Sequence, residues 1–191
     1  MYAFVLAGQS NMALNFDGLE NMLKMYYGAN TLAIRVAVGG SSITSWQVGQ
    51  DNYENAVLAC LNATIAGYDI KAGLFFQGET DARDAEIASQ WKQLYWNYAR
   101  DFRLAINYQY MPMVHAQLGK KPDLGNYTEW QTIRQQQVDA LVDHAGFQMI
   151  GTWDLYPYYY STPPYCHYTP EGYEFISSRF ISKLLKVVAP E

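Results

Sequence analysis

The sequence predicts a single α/β domain built on a parallel sheet of about five strands. Three observations carry that expectation. Apolar runs of strand length recur along all 191 residues and are near-continuous rather than alternating, as strands covered on both faces should be. Helix-period apolar stripes lie between them, and alternation of the two is the signature of α/β architecture with right-handed crossovers. No internal repeat, Gly/Ser linker or charge block divides the chain.

The strand runs are Tyr2–Ala7, Leu32–Val38, Ala72–Phe76, Met111–Ala116 and Phe147–Trp153. Tyr53, Ala56, Val57, Cys60, Leu61 and Ile65 share one helical stripe. Ile87, Trp91, Leu94, Tyr95, Tyr98, Phe102 and Ala105 form a longer one, and Trp130, Ile133, Val138 and Leu141 a less regular third. The final helix announces its start: Thr169 suits the N-cap and Pro170 the first helical position, with Tyr173, Ile176, Phe180, Leu184 and Val187 following at helical spacing. The stretch from Tyr156 to Tyr168, dense in tyrosine and proline, reads as a long loop.

Composition excludes several function classes. Half the residues are hydrophobic and only 16% are charged, so the chain is not disordered as a whole. A net charge of −5, with no basic run longer than Lys120-Lys121, lacks the electrostatic footprint of a nucleic-acid binder. Two cysteines, Cys60 and Cys166, make no disulfide framework, and three histidines offer no metal-ligand spacing, so neither a metal nor another cofactor is expected. The opening run Tyr2–Ala7 has no basic residue before it and breaks at Gly8, too early for a signal peptide or membrane span. A cytoplasmic location and a phage particle both fit that expectation, and no membrane partner is expected.

Ligands of open parallel sheets bind at the carboxyl ends of the strands. Polar residues crowd those ends here: Gly8-Gln9-Ser10-Asn11-Met12, Gly39-Gly40-Ser41-Ser42, Gln77-Gly78-Glu79-Thr80-Asp81, Gln117, and Asp154 with His167 beyond the tyrosine-rich loop. A nucleophilic serine needs a base in hydrogen-bond reach and donors aimed at the oxyanion. Ser10 follows a strand in a turn that Gly8 lets bend sharply; the same fragment also reads as an ordinary turn. Among the histidines, His115 lies in an apolar strand and reads as core, and His144 ends a polar helix and reads as solvated. That leaves His167 as the candidate base, with a plain loop histidine as the alternative. The Gly40 backbone and the Gln77 side chain, with the Ser10 N–H, would give three oxyanion donors; equally, Gly39-Gly40 turns the chain and Gln77 caps a neighbour.

Taken together the blocks say more. Gly-Gln-Ser-Asn-Met at 8–12, Gly-Gly-Ser-Ser-Ile at 39–43, Gln-Gly-Glu-Thr-Asp at 77–81 and His-Tyr-Thr-Pro-Glu-Gly-Tyr at 167–173 occur in that order. The chain resembles the SGNH-hydrolase superfamily and, within it, the sialate O-acetylesterase and carbohydrate esterase family 6 branch, over nearly its whole length. The resemblance implies a flavodoxin-like three-layer α/β/α sandwich, Ser10 as nucleophile, His167 as general base, and an oxyanion hole of Ser10, Gly40 and Gln77. The implied activity is serine-dependent removal of O-acetyl groups from a sugar or polysaccharide, without a cofactor. One position departs from the pattern: the superfamily usually carries an aspartate three residues before the histidine, where this chain has Pro164. Either a Ser–His dyad operates or another acid substitutes, Asp154 first and Glu79 second. Trp46 and the tyrosines of 156–168 are candidate stacking platforms for a sugar. Two alternatives accompany this reading: a carbohydrate-binding module with a degenerate esterase site, and a general short-chain esterase or thioesterase.

Overall fold

In the computed structural model, which describes residues 1–120, 127–142, 146–160 and 166–190, five parallel strands form one sheet in the order β2-β1-β3-β4-β5. They are β1 (Tyr2–Gly8), β2 (Leu32–Arg35), β3 (Asp69–Phe76), β4 (Met113–Ala116) and β5 (Phe147–Ile150). The central strands β1 and β3 bury almost every side chain, which is why their sequences run apolar without alternation. The chain moves from β1 outward to β2, then returns across β1 to β3, so the order reverses between β1 and β3. Their carboxyl ends are the switch point at which such sheets bind ligands.

Helices cover both faces. Helices α1 (Ser10–Leu14), α2 (Phe16–Tyr27) and α6 (Pro170–Leu184) pack together in one layer; α3 (Asp51–Ile65), α4 (Ala85–Ala105) and α5 (Tyr127–Asp139) form the other. The fold is thus the expected three-layer α/β/α sandwich. Helix α6 begins as the sequence predicts, Thr169 Oγ1 accepting from the Gly172 N–H at 3.3 Å with Pro170 at the first turn. Asp84 caps α4, accepting from Glu86 and Ile87 N–H.

Several expectations need correction. Helix α2 has no counterpart among the sequence-predicted elements, although Phe16, Leu19, Leu23 and Tyr27 are spaced to bury one face. Strand β2 ends at Arg35, β4 starts at Met113 and β5 stops at Ile150, although Val36 and Val38 still donate to Leu6 O and Gly8 O of β1 at 3.1 and 2.9 Å beyond the end of β2. Ile65, assigned to the buried stripe of α3, is 85% exposed at the helix end. Trp46 is not a surface platform: it is fully buried, packed edge-on against Phe75 and Tyr98, with Nε1 donating to Ser41 Oγ at 3.1 Å. His144 and Pro164 lie outside the described residues.

Candidate active site

Ser10 opens α1 immediately after β1, and the turn that delivers it depends on Gly8. Gly8 has φ of +120°, and a Cβ there would sit 2.2 Å from the Phe76 carbonyl oxygen. Only glycine permits that approach. It lets the Gln9 N–H donate to Phe76 O at 2.8 Å, locking the end of β1 to the end of β3. Ser10 then projects into the rim half-buried, its N–H in the first helical turn without a backbone acceptor among the described residues.

His167 arrives from the far end of the chain. Its Nε2 stands 2.8 Å from Ser10 Oγ, across 157 residues of sequence. The loop carrying it is pinned on both sides. The preceding carbonyl, of Cys166, accepts from Asn11 Nδ2 at 2.9 Å; the His167 carbonyl accepts from Tyr160 N–H at 3.0 Å; and Thr169 N–H donates to Tyr158 O at 2.7 Å. Partial burial holds the His167 pKa below the ordinary imidazole value, which keeps the ring neutral and proton-accepting near pH 7.

No carboxylate among the described residues is hydrogen-bonded to that imidazole. Asp154, the first candidate for a substitute acid, is corrected here: it lies exposed on the short 3-10 segment Trp153–Tyr158, in a two-pronged pair with Arg179 at 2.7 and 2.6 Å. The guanidinium holds its pKa below the usual carboxylate value. Glu79, the second candidate, is buried and accepts from Asn11 Nδ2 rather than from His167. Burial pushes its pKa up to about 7 against the opposing Asn11 bond, and its Oε2 has no hydrogen-bond partner among the described residues.

Asn11, not singled out from the sequence, links these parts. Its two amide hydrogens go to Glu79 and the Cys166 carbonyl, and its Oδ1 accepts from Tyr173 OH at 2.8 Å. One buried side chain beside Ser10 thereby fixes the backbone next to His167. In the sequence it appears only as a member of the 8–12 block, directly after Ser10, with no role of its own.

The candidate oxyanion donors divide. Gly40, at φ +70° on the exposed loop after β2, offers an N–H with no partner among the described residues. Gln77 does not offer an open donor, contrary to the sequence reading. It is 1% exposed; its Oε1 accepts from Trp91 Nε1 at 2.7 Å, and its Nε2 donates to Asp81 Oδ2 at 2.6 Å and Ser41 O at 3.1 Å. An indole nitrogen only donates, so Trp91 fixes which way the Gln77 amide faces. Asp81 also accepts from Ile43 N–H at 3.0 Å. Gln77 and Asp81 together brace the loop that presents Gly40.

A cleft of about 490 Å³ borders His167 between the start of α2 and the start of α6. Of the described tyrosines of 156–168, Tyr160 lines the cleft, while Tyr159 and Tyr168 lie 4.4 Å apart ring to ring and share a 2.9 Å hydroxyl hydrogen bond. Among the described residues no group of three or more His, Cys, Asp or Glu stands together as a metal site, and no described helix is long and apolar enough to cross a membrane.

A family model described as carbohydrate esterase, sialic acid-specific acetylesterase, matches residues 20–186. That span includes His167 and begins after Ser10. A search of curated proteins found no match. Among solved structures, a protein from Arabidopsis thaliana superposes with a TM-score of 0.82 at 17% identity, covering 97% of this chain and 98% of its own. NanS superposes at 0.79 with 11% identity, covering 97% and 96%. A carbohydrate acetylesterase from Xanthomonas citri gives 0.73 at 15% identity, covering 97% of this chain and 56% of its own. At these identities the superpositions establish the fold.

Proposed function

Because the chain belongs to the sialic acid-specific acetylesterase family of carbohydrate esterases, and is thereby a carboxylic ester hydrolase, we propose that it removes acetyl groups from sugars by acyl transfer through Ser10. The observation that carries this reading is the 2.8 Å contact between His167 Nε2 and Ser10 Oγ. That is the geometry a general base needs toward the proton it takes.

In the proposed cycle, Ser10 gives its proton to His167 Nε2 as Oγ bonds to the acetyl carbonyl carbon. The N–H groups of Ser10 and Gly40 hold the oxyanion, while Gln77 keeps the Gly40 loop in place. The ester C–O bond breaks, the sugar oxygen takes the proton from His167, and acetyl-Ser10 remains. A water, deprotonated by His167, releases acetate and restores the serine. The reading is a Ser–His dyad. In place of a carboxylate, the hydrogen bonds that flank His167 through Cys166 O, His167 O and Thr169 N–H support its orientation. With no acid against the imidazole among the described residues, the dyad is expected to turn over slowly, since removing that acid costs about 10⁴ in a well-studied protease.

The test is hydrolysis of p-nitrophenyl acetate, butyrate and octanoate by the wild type, Ser10→Ala and His167→Ala. We expect acetate to be cleaved preferentially, and each substitution to reduce the rate by roughly 10³-fold or more. A wild type no faster than the variants on any ester would leave a sugar-binding protein without turnover. Equal rates on all three esters would point to a general esterase.

A further inference from the structure

The rim around Ser10 and His167 carries a cation that the fold does not employ. Arg83 closes the short 3-10 turn Asp81–Arg83 after β3, and its side chain is exposed, with no ion pair, hydrogen bond or ring contact among the described residues. The other described cations at the carboxyl ends of the strands are engaged. Arg35 pairs with Asp17, Arg134 donates to the Leu118 and Gly119 carbonyls, Lys120 lies over the Tyr156 ring, and Arg179 pairs with Asp154.

The backbone beneath this free side chain is held tightly, and held to the site. The Arg83 N–H donates to Thr80 O at 3.2 Å, and the Thr80 N–H donates to the side chain of Gln9, the residue before Ser10, at 3.3 Å. Asp81 is buried against Ile43 N–H and Gln77 Nε2, and Asp84 caps α4. Glu79, in the same block, takes one hydrogen of the Asn11 amide whose other hydrogen holds the Cys166 carbonyl beside His167. The turn is thus tied on one side to the approach to Ser10 and on the other to the approach to His167. Charge shows the same neighbourhood: burial and Glu79 push the Cys166 thiol up to about 11, while the positive charge of Arg83 pulls it down. Of the nearby carboxylates, Asp81 and Asp84 are committed to N–H groups and Glu79 is buried, and none is paired with Arg83.

We propose that Arg83 is the residue that reads a carboxylate on the sugar, so that the site selects acetylated acidic sugars, sialic acid among them, over uncharged sugars of the same shape. The proposal rests on the Ser10–His167 reading, which places the acetyl group at Ser10, and deepens it by naming the residue that holds a second point of the substrate. A guanidinium presents its N–H groups in a fixed fork that matches the two oxygens of a carboxylate. On a rigid turn the fork is carried at a set place on the rim, while the uncommitted side chain is free to close on its partner. At an exposed site such a charge-assisted pair supports a discrimination of roughly tenfold, weakened by salt.

The experiment compares kcat/KM for 9-O-acetyl-N-acetylneuraminic acid with that for its primary carboxamide, which keeps the shape and removes the charge. The quantity read is the acid-to-amide ratio within each variant, so that a general loss of activity or of folded protein cancels. In the wild type we expect the acid to be favoured roughly tenfold at low ionic strength, less in about 0.5 M salt. The ratio should fall to near one in Arg83→Gln and lie between in Arg83→Lys, which keeps the charge and loses the fork. A wild type that cleaves the amide as well as the acid overturns the proposal, as does a ratio that Arg83→Gln leaves unchanged. A second arm needs no turnover: N-acetylneuraminic acid is titrated by calorimetry into Ser10→Ala and into Ser10→Ala with Arg83→Gln. We expect roughly tenfold weaker binding in the latter; equal affinities, or no binding to either, overturn the proposal. Ser10→Ala and His167→Ala are also assayed for turnover. If they retain activity the catalytic reading has failed; if they lose it while the ratio ignores Arg83→Gln, only the Arg83 assignment has.

Discussion

Two buried regions of this protein handle polar atoms in opposite ways. Under Ser10, the amides and carboxylates of Asn11, Gln77 and Asp81 are tied to specific partners, most of them from distant parts of the chain. Between α4 and the sheet, polar atoms ride on rings chosen for their bulk: Tyr95 stacks on Trp91 and meets His115 edge-on, and Tyr98 stacks on Phe102. There the hydroxyls of Tyr95 and Tyr98 and Nδ1 of His115 have no hydrogen-bond partner among the described residues. The lesson is about what each region has to hold. Below the rim, polar groups fix loop positions to within a hydrogen bond; in the aromatic layer, ring packing and a few hydrogen bonds from Trp91, Trp96 and Arg103 hold the helix, and the remaining polar atoms are a burden it carries.

The sharpest way to break that comparison is at its most connected polar residue. Asp81→Ala removes the acceptor for both Ile43 N–H and Gln77 Nε2, leaving two buried donors unmade. We expect a loss of about 3 kcal/mol in urea unfolding, together with most of the esterase activity as the Gly40 loop loosens. A smaller value, near that of a surface substitution, would mean that the rim network does not hold the loop. Next comes Asn11→Ala. With the Cys166 carbonyl and Tyr173 hydroxyl released, kcat should fall about 100-fold while KM changes little, because the defect lies in the aim of His167 rather than in sugar binding. Comparable losses in kcat and in binding would contradict that assignment.

A third test sets the two regions against each other through pH. Burial lowers the His115 pKa to about 4 and raises that of Glu79 to about 7. For His115, the unfolded chain binds the proton more readily, so its contribution to stability is full above about pH 6.5 and is lost as pH falls toward 4. For Glu79 the sign reverses: its contribution is full below about pH 4.5 and is lost as pH rises toward 7. Between about pH 5 and 7.5 each amounts to about 2 kcal/mol, and they nearly cancel. Glu79→Gln should therefore uncover a fall of about 2 kcal/mol on acidification from about pH 7.5 to 5, measured by urea unfolding. A pH-independent variant would show that the His115 burden is relieved elsewhere. The activity profile is separate: its acidic limb should follow His167, with a midpoint below the ordinary imidazole value. The smallest effect belongs to Tyr95→Phe, which deletes an unpartnered hydroxyl. Stability should stay level or rise by up to about 1 kcal/mol, with activity unchanged. A clear loss would reveal a partner for that hydroxyl.

The sequence is most legible where one local pattern dictates one element. The apolar runs of β1 and β3 and the Thr169-Pro170 start of α6 are of this kind, since burial on both faces and N-capping each leave a signature within a few residues. Helix α2 escapes such a reading because Asp17 and Gly18, residue types common in turns, stand in its first turn, and polar residues separate the apolar ones that it buries. At the rim, the blocks containing Ser10, Gly40, Gln77 and His167 point to one place. What each residue does there depends on partners that its own block does not determine. Gln77 reads as a free donor until Trp91 and Asp81 are seen to occupy its amide, Asp154 as a free acid until Arg179 claims it, and Trp46 as a platform until Phe75 and Tyr98 enclose it. Asn11 stays invisible for the same reason, since its meaning lies wholly in Glu79, Cys166 and Tyr173.

The 157-residue separation between the two ends of the Ser10–His167 contact also has a consequence for synthesis. Ser10 leaves the ribosome just after β1 and His167 only after all five strands have been made. If Ser10 and His167 act as the proposed dyad, a nascent chain stalled before α6 holds the serine without its base, and hydrolysis is expected only once the segment carrying His167 has been made. Onset of ester cleavage on a growing chain would be a direct clock for the docking of α6.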